Sequence, residues 1–241
     1  MRVTVVLPTL DEGPLLQQTV KEALSGLARH QVDFVIAAHS KLTTPQTRSA
    51  IKELKAAYGS SIDAFDQSRP GVGAALQEAF QRAQGEVVVL MTPDLETPPY
   101  ALPALVEKIE QGYDMATATR WGKGIAFNGY PPVKLICNFI FQQFFRALYL
   151  TRLSDLTFGY RAFKNPVVKH IKWEEDRFPF FFETILKPLQ LGLNIAQVST
   201  PWSSFRTRKA SIGRAPLSML FSYILLGLRV RLMSRARLWK E

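Results

Sequence analysis

Residues 87–99 read Val-Val-Val-Leu-Met-Thr-Pro-Asp-Leu-Glu-Thr-Pro-Pro. Five consecutive apolar residues, Val87 to Met91, suit a strand buried on both faces, as in a parallel sheet covered by helices. The run stops at Thr92-Pro93, and Asp94 and Glu96 follow at once. A buried parallel strand that delivers acids at its carboxyl end places them in the crevice where open α/β sheets bind ligands. Carboxylates at i and i+2, with no His or Cys nearby, suit a hard cation that keeps several waters and bridges to substrate phosphates. A polar loop after a core strand is the plainer reading of two acids alone.

The flanking sequence extends the pattern. Arg2–Leu7 predicts a strand, and Asp11–Arg29 a helix with apolar positions at Leu15, Leu16, Val20, Leu24 and Leu27. Phe34–Ala38 predicts a second strand, Pro45–Tyr58 a helix with Pro at its first position, and Ile62–Phe65 a short edge strand. Gly71–Ala83 is led by glycine and then helical. After the Val87–Met91 strand come a helix over Pro103–Gln111 and a strand over Met115–Ala118. This alternation predicts an α/β fold with a doubly wound, mostly parallel, Rossmann-like sheet flanked by helices. Val133–Leu150 is apolar around most of a helical circumference, so it is either deeply buried or partly in lipid. Asp155–Lys164 predicts a turn and strand, Phe178–Leu191 a segment ending in a helix, and Ile195–Val198 a last strand.

With 47% apolar and 21% charged residues among 241, the chain has the composition of a folded protein. Its single cysteine, Cys137, excludes an internal disulfide and, in an apolar segment, predicts a buried, inert thiol. His30, His39 and His170 are scattered without zinc spacing. No signal peptide pattern precedes the first strand, so a cytoplasmic location is the expectation. Charge is concentrated late: from Thr184 onward there are ten Lys or Arg and one acid, Glu241, which accounts for nine of the net ten positive charges. Within that block Pro216–Leu228 is uncharged and precedes Arg229, Arg231, Arg235 and Arg237. Thirteen uncharged residues fall short of the roughly 20 that span a bilayer. They suit a helix lying in the interface, with arginines meeting anionic headgroups on the inner face of a membrane. A buried amphipathic helix with a solvated basic end is the alternative. No base-reading motif accompanies the block, so nucleic acid is not an expected partner.

Several segments would converge on the edge that carries Asp94. Pro8-Thr9-Leu10-Asp11-Glu12 follows the first strand; its acids could bind a sugar or base, or cap the next helix. Arg69-Pro70-Gly71-Val72-Gly73 allows close approach of backbone to a ligand and opens a helix whose amino end attracts phosphate. It is neither a Walker A loop nor a full dinucleotide fingerprint. Arg120, after the Met115–Ala118 strand, could offset charge on a phosphate or form a surface salt bridge. Asp155-Leu156-Thr157-Phe158-Gly159-Tyr160-Arg161 combines acid, hydroxyl, glycine and arginine within seven residues. Glu183, after an aromatic run, would be partly buried and needs a partner; an ion pair with an arginine is its structural alternative.

Taken in order, these segments resemble the dolichyl-phosphate mannosyltransferase-like branch of glycosyltransferase family 2, which has a GT-A fold. Pro8-Thr9-Leu10-Asp11-Glu12 looks like that family's nucleotide-contacting Pro-Thr-x-Asn-Glu. Gly71-Val72-Gly73-Ala74-Ala75 resembles its Gly-Lys-Gly-Ala-Ala, and Asp94-Leu95-Glu96 with Pro98-Pro99 the second half of its Asp-x-Asp-Leu-x-x-Pro-Pro metal motif. Arg120 matches its Ser-Arg element. Lys134 and Asn138 take the spacing of an Arg and a Ser that meet the acceptor phosphate. Asp155–Arg161 is similar to its Asp-x-x-Ser-Gly-Phe-Arg, and Arg206 with Ser211 to its closing Arg-x-x-Gly-x-Ser. Thr92 stands where the first metal-motif Asp belongs, and Ala37-Ala38-His39-Ser40-Lys41 replaces an acidic Asp-Asp-Gly-Ser that reads base and ribose.

The resemblance implies inverting transfer of a sugar from a GDP- or UDP-linked donor to a polyprenyl phosphate at the membrane surface. Residues 1–211 would form the GT-A domain and 212–241 a basic membrane-associating segment. Mg²⁺ or Mn²⁺ would sit on Asp94 and Glu96. Pro8, Leu10, Glu12, Gly71, Val72, Gly73 and Asp94 would contact the nucleotide sugar, and Asp94, Arg120, Asp155 and Glu183 would serve catalysis. Arg120, Lys134, Asn138, Arg161, Arg206 and Ser211 would hold the acceptor phosphate. A separate membrane subunit is a further candidate partner. A family 2 transferase with a soluble sugar or polysaccharide acceptor, and a catalytically silent membrane-binding protein, are the competing readings.

Overall fold

The computed structural model describes residues 1–96, 98–122, 127–128, 132–200, 202–203 and 217–240, the side chains of 127, 128, 132, 134, 202, 203, 217 and 218 excepted. Strand β1 (Arg2–Pro8) leads into helix α1 (Pro14–Gly26), β2 (Gln31–Ala38), α2 (Pro45–Tyr58) and β3 (Ile62–Asp66). Next come α3 (Val72–Arg82), β4 (Val87–Leu90), α4 (Leu102–Glu110), β5 (Met115–Thr119), β6 (Phe127–Asn128) and α5 (Pro132–Tyr149). The chain continues through β7 (Arg161–Lys164), α6 (Asn165–His170), α7 (Phe180–Leu191), β8 (Ile195–Ser199), β9 (Trp202–Ser203), α8 (Leu217–Leu232) and α9 (Arg235–Leu238).

Seven strands form one sheet in the order β3-β2-β1-β4-β7-β5-β8, while β6 and β9 pair apart from it. Within the sheet only β7 runs antiparallel, between β4 and β5. Alternation along β1 divides the core. Val3, Val5 and Leu7 pack with Leu16, Val20 and Leu105 on one face. Val6, with Val88 and Leu90 of β4, meets Leu76, Phe80, Phe180 and Phe182 on the other. Each such side chain contributes roughly 1.5–3 kcal/mol by leaving water, which suffices to fix strand register. Pro45 opens α2 as its sequence predicts, Pro14 opens α1 inside the expected Asp11–Arg29 span, and the left-handed Gly192 (φ 76°) follows α7.

Helices α5 and α8 cross where glycine permits it. A Cβ on Gly227 would lie 2.0 Å from Phe145 Cε1, and Tyr149 Oη donates to the Gly227 carbonyl at 2.8 Å. Beyond this crossing both helices keep apolar side chains in solvent: Val133 (74% exposed), Ile136, Ile140 and Phe144 on α5, and Phe221 (65%), Leu225, Leu228 and Leu232 on α8. Cys137 lies on the same outer stripe and is exposed, so the expected buried thiol is corrected: among the described residues none covers it. Among the described residues no helix is long and apolar enough to cross a membrane.

Candidate functional site

The parallel strands β1, β2 and β4 end along one edge of the sheet, in the spatial order β2, β1, β4. The loops that follow them enclose a cavity of about 550 Å³. Pro8, Leu10, Glu12, His39, Gln67, Gly71, Val72, Thr92, Asp94, Glu96, Phe178 and Phe181 line it. A space of this size suits a nucleotide-sized ligand. Six of the seven residues expected at a nucleotide sugar thus meet at one cavity; Gly73 is not part of its wall.

The loops after β1 and β4 are each shaped by their own acid. Glu12 Oε2 accepts from Thr9 Oγ1 (2.8 Å), the Leu10 amide (2.6 Å) and the Asp11 amide (3.0 Å). Asp94 Oδ1 accepts from Thr92 Oγ1 (2.8 Å) and the Glu96 amide (3.1 Å). Between the two acids Leu95 is left-handed (φ 61°), a conformation that costs a non-glycine residue roughly 1–2 kcal/mol. The hydroxyl of Thr92 therefore orients Asp94. Among the described residues no group of three or more His, Cys, Asp or Glu gathers, which leaves Asp94 and Glu96 as a two-carboxylate oxygen donor set. That set fits Mg²⁺ or Mn²⁺, whose remaining positions go to water and ligand oxygens.

The glycines meet protein more closely than ligand space. A Cβ on Gly71 (φ +109°) would lie 2.1 Å from the Asp176 carbonyl oxygen, and one on Gly73 2.1 Å from that of Glu175. The Ala74 amide donates to the Asp176 carbonyl at 3.1 Å. Gly73, expected near a ligand, here admits residues 175–176 at the start of α3. Glu183 holds this segment from below. Its carboxylate accepts from the Glu174 amide (3.0 Å) and the Glu175 amide (3.1 Å), and it pairs with Lys187 Nζ at 2.7 Å. Both charged side chains are fully buried. Burial pushes the Glu183 carboxyl up, against the pull of Lys187 and the two amides. Glu183, expected to serve catalysis or to form an ion pair with an arginine, is held here in a buried ion pair with a lysine.

A second network sits at the edge of β5 and β7. Arg120 grips Asp155 through two side-chain bonds, Nε to Oδ2 at 2.7 Å and Nη2 to Oδ1 at 3.0 Å. Asp155 also accepts from the amides of Arg120, Thr157 and Phe158 and from Gln142 Nε2. Burial alone would raise the Asp155 carboxyl, but the Arg120 guanidinium and these amides outweigh it and hold it below the usual range. Arg120 remains 9% exposed and its guanidinium lies over the Phe158 ring at 4.9 Å. Arg161 is fully buried: Nη1 donates to the Phe181 carbonyl and Thr184 Oγ1, and Nη2 to the Leu156 carbonyl at 3.0 Å. Burial draws its pKa down to about 9. Expected at an acceptor phosphate, that guanidinium here donates to protein oxygens.

Asn138 and Lys134 lie on α5. Asn138 Oδ1 accepts from Gln142 Nε2 at 3.1 Å, while the Lys134 side chain, Arg206 and Ser211 lie outside the described residues. Sequence reasoning gave no role in the cavity to His39, Gln67, Phe178 or Phe181. Position was the missed signal: His39 and Gln67 directly follow the adjacent strands β2 and β3.

The model for "Glycosyl transferase family 2" matches residues 4–172. The chain is 28% identical over 192 residues to the dolichol-phosphate mannosyltransferase of Pyrococcus furiosus, covering 78% of this chain and 53% of that protein. It is 24% identical over 179 residues to the undecaprenyl-phosphate 4-deoxy-4-formamido-L-arabinose transferase of Edwardsiella ictaluri (74% and 54%). The chain spans about half the length of these curated relatives. Among solved structures, glucosyl-3-phosphoglycerate synthase from Mycobacterium tuberculosis in complex with Mn²⁺, UDP and phosphoglyceric acid superposes with a TM-score of 0.68 at 20% identity, covering 95% of this chain and 78% of that one. That likeness is one of fold.

Proposed function

Because this chain belongs to glycosyl transferase family 2, we propose that it is a glycosyltransferase moving a sugar, with inversion, from a nucleoside diphosphate to a polyprenyl phosphate at a membrane surface. The observation that carries the donor half is the cavity along β2, β1 and β4, with Asp94 and Glu96 at its β4 end. These two carboxylates would hold Mg²⁺ or Mn²⁺ against the donor's diphosphate. When bound, such a cation supplies Lewis-acid stabilisation of the departing diphosphate. Glu12 sets the course of the Thr9–Asp11 backbone along the cavity wall, and Gly71 and Val72 complete it.

An acceptor phosphate is already anionic, so attack needs positioning more than a strong base. Lys134, Asn138, Arg206 and Ser211 are the groups proposed to meet the acceptor phosphate. Arg120 and Asp155 would act as a positioning pair that fixes the loop ahead of β7. The lipid half rests on the exposed apolar stripes of α5 and α8, which arginines follow. They suit insertion into an anionic interface, as a peripheral association.

The experiment is a panel of UDP- and GDP-sugars offered with undecaprenyl phosphate in vesicles or with short soluble acceptors. Lipid-linked product that needs Mg²⁺ or Mn²⁺ supports the proposal. Product on soluble acceptors alone would move the chain to the soluble-acceptor class, and the lack of any nucleotide-sugar binding would leave a membrane-binding protein.

A further inference from the structure

His39 lies at the β2 end of the cavity, and its imidazole is held in one tautomer by its own loop. Nδ1 accepts from the amides of Lys41 (3.1 Å) and Leu42 (3.3 Å), so it carries no proton and the ring's hydrogen is on Nε2. The His39 amide donates to Thr43 Oγ1 at 2.7 Å, and the Thr43 amide to the His39 carbonyl at 3.1 Å, which closes the turn around the ring. Among the described residues Nε2 has no protein partner, and the side chain forms part of the cavity wall. The ring is thus a donor with a fixed direction and an open end.

Distance along the edge tells what that donor meets. Asp94 follows β4 and His39 follows β2, with β1 between them. Neighbouring strands lie about 4.8 Å apart, so the two sites are separated by about 10 Å. If a diphosphate occupies the Asp94 end, the nucleoside attached to it extends to His39. Gln67, which follows the neighbouring strand β3, spends its amide hydrogens on the Arg69 and Gly71 carbonyls (2.6 and 3.2 Å). Its Oε1 remains an acceptor, and Gln67 and His39 line the same cavity from the ends of adjacent strands. A donor beside an acceptor is complementary to a base edge that carries a carbonyl next to a ring N–H.

We infer that His39 is a specificity-determining residue, whose Nε2–H donates to a base carbonyl of the bound nucleoside diphosphate; this rests on the donor reading above.

Two substitutions divide the ring's two functions. In His39→Asn the side-chain oxygen takes the place of Nδ1, which keeps the turn and removes the Nε2 donor. In His39→Gln the amide nitrogen reaches the place of Nε2, which keeps a donor and gives up the turn acceptor. Binding of UDP, GDP and, as a control without a nucleoside, inorganic pyrophosphate is measured by calorimetry with Mn²⁺, alongside thermal melting. His39→Asn is expected to melt with the wild type and bind pyrophosphate equally, yet bind UDP or GDP about five- to tenfold more weakly, the size of one lost hydrogen bond. His39→Gln is expected to melt lower and to stay within about twofold of wild-type nucleotide affinity. Wild-type nucleotide affinity in His39→Asn would overturn the inference and leave His39 a turn residue, as would an equal loss for pyrophosphate. A wild-type protein that binds pyrophosphate with Mn²⁺ but gains nothing from a nucleoside would overturn the inference alone. One that binds none of the three would bring down the donor reading as well.

Discussion

On the β2–β1–β4 side of the sheet edge, Glu12, His39 and Asp94 use their internal bonds to shape short loops and leave a cavity beside them. On the β5–β7 side, Arg120, Asp155 and Arg161 are spent on one another's surroundings and nearly closed to solvent. Both sides carry the residue types of a catalytic site, and both match family motifs. The difference is what each polar atom has left to give. A carboxylate bound by two arginine nitrogens and three amides is a fastener; one that accepts two bonds on a single oxygen keeps the other for a ligand. The closed side stiffens the frame against which the open side works.

The largest effect separating the two sides should come from Asp155→Ala. It strands Arg120 without its buried partner, and breaking such a pair costs about 3–5 kcal/mol. A melting temperature lower by about 10 °C or more would be seen in a thermal scan, with nucleotide affinity at low temperature little changed. The pH dependence follows from the lowered Asp155 pKa. A depressed carboxylate contributes stability that is full above its unfolded value, about 3.9, and is lost as pH falls through the folded value. Wild-type protein should therefore lose stability below about pH 4 more steeply than Asp155→Asn does in acid titrations followed by circular dichroism.

Asp94→Ala should do the reverse. Transfer activity falls by about 10²–10³, as expected for the loss of a metal-holding carboxylate, while melting moves by no more than a degree or two. A large melting shift here would erase the distinction between the two sides.

A smaller effect is expected between them, at Gly73→Ala. The added Cβ would meet the Glu175 carbonyl at 2.1 Å, so residues 175–176 must move, at a cost of about 1–3 kcal/mol. Since Phe178 and Phe181 line the cavity just beyond, nucleotide affinity should weaken together with stability.

The smallest is expected at the exposed apolar stripes of α5 and α8. Replacing Ile140 and Phe221 by serine should cut partitioning onto anionic vesicles about tenfold or more in a sedimentation assay, with UDP binding unchanged.

The element order was legible because its signals are local. The five-residue run at Val87–Met91, the proline opening α2 and the apolar spacing of α1 reappear with ends shifted by a few residues. The insertion of β7 antiparallel between β4 and β5 was not legible, since its four residues carry no mark of direction. In the site, the acids after β1 and β4 were readable from their place at strand ends. The fates of Arg161, Glu183 and Gly73 were not: Arg161 turns to the Leu156 and Phe181 carbonyls, Glu183 to Lys187 and the amides of Glu174 and Glu175, and Gly73 to the Glu175 carbonyl far along the chain, pairings that no local pattern marks. The exposure of Cys137 escaped for a related reason. An apolar helix looks the same in sequence whether its cover is protein or lipid.

The most direct test of the open side as a metal-assisted nucleoside diphosphate site is calorimetric titration of UDP and GDP into wild-type protein and Asp94→Ala, each with Mn²⁺ and with EDTA. Binding by wild-type protein should fall by at least tenfold in EDTA, and Asp94→Ala should bind equally weakly with or without the cation. Nucleotide affinity that is indifferent both to EDTA and to the Asp94 substitution would contradict it.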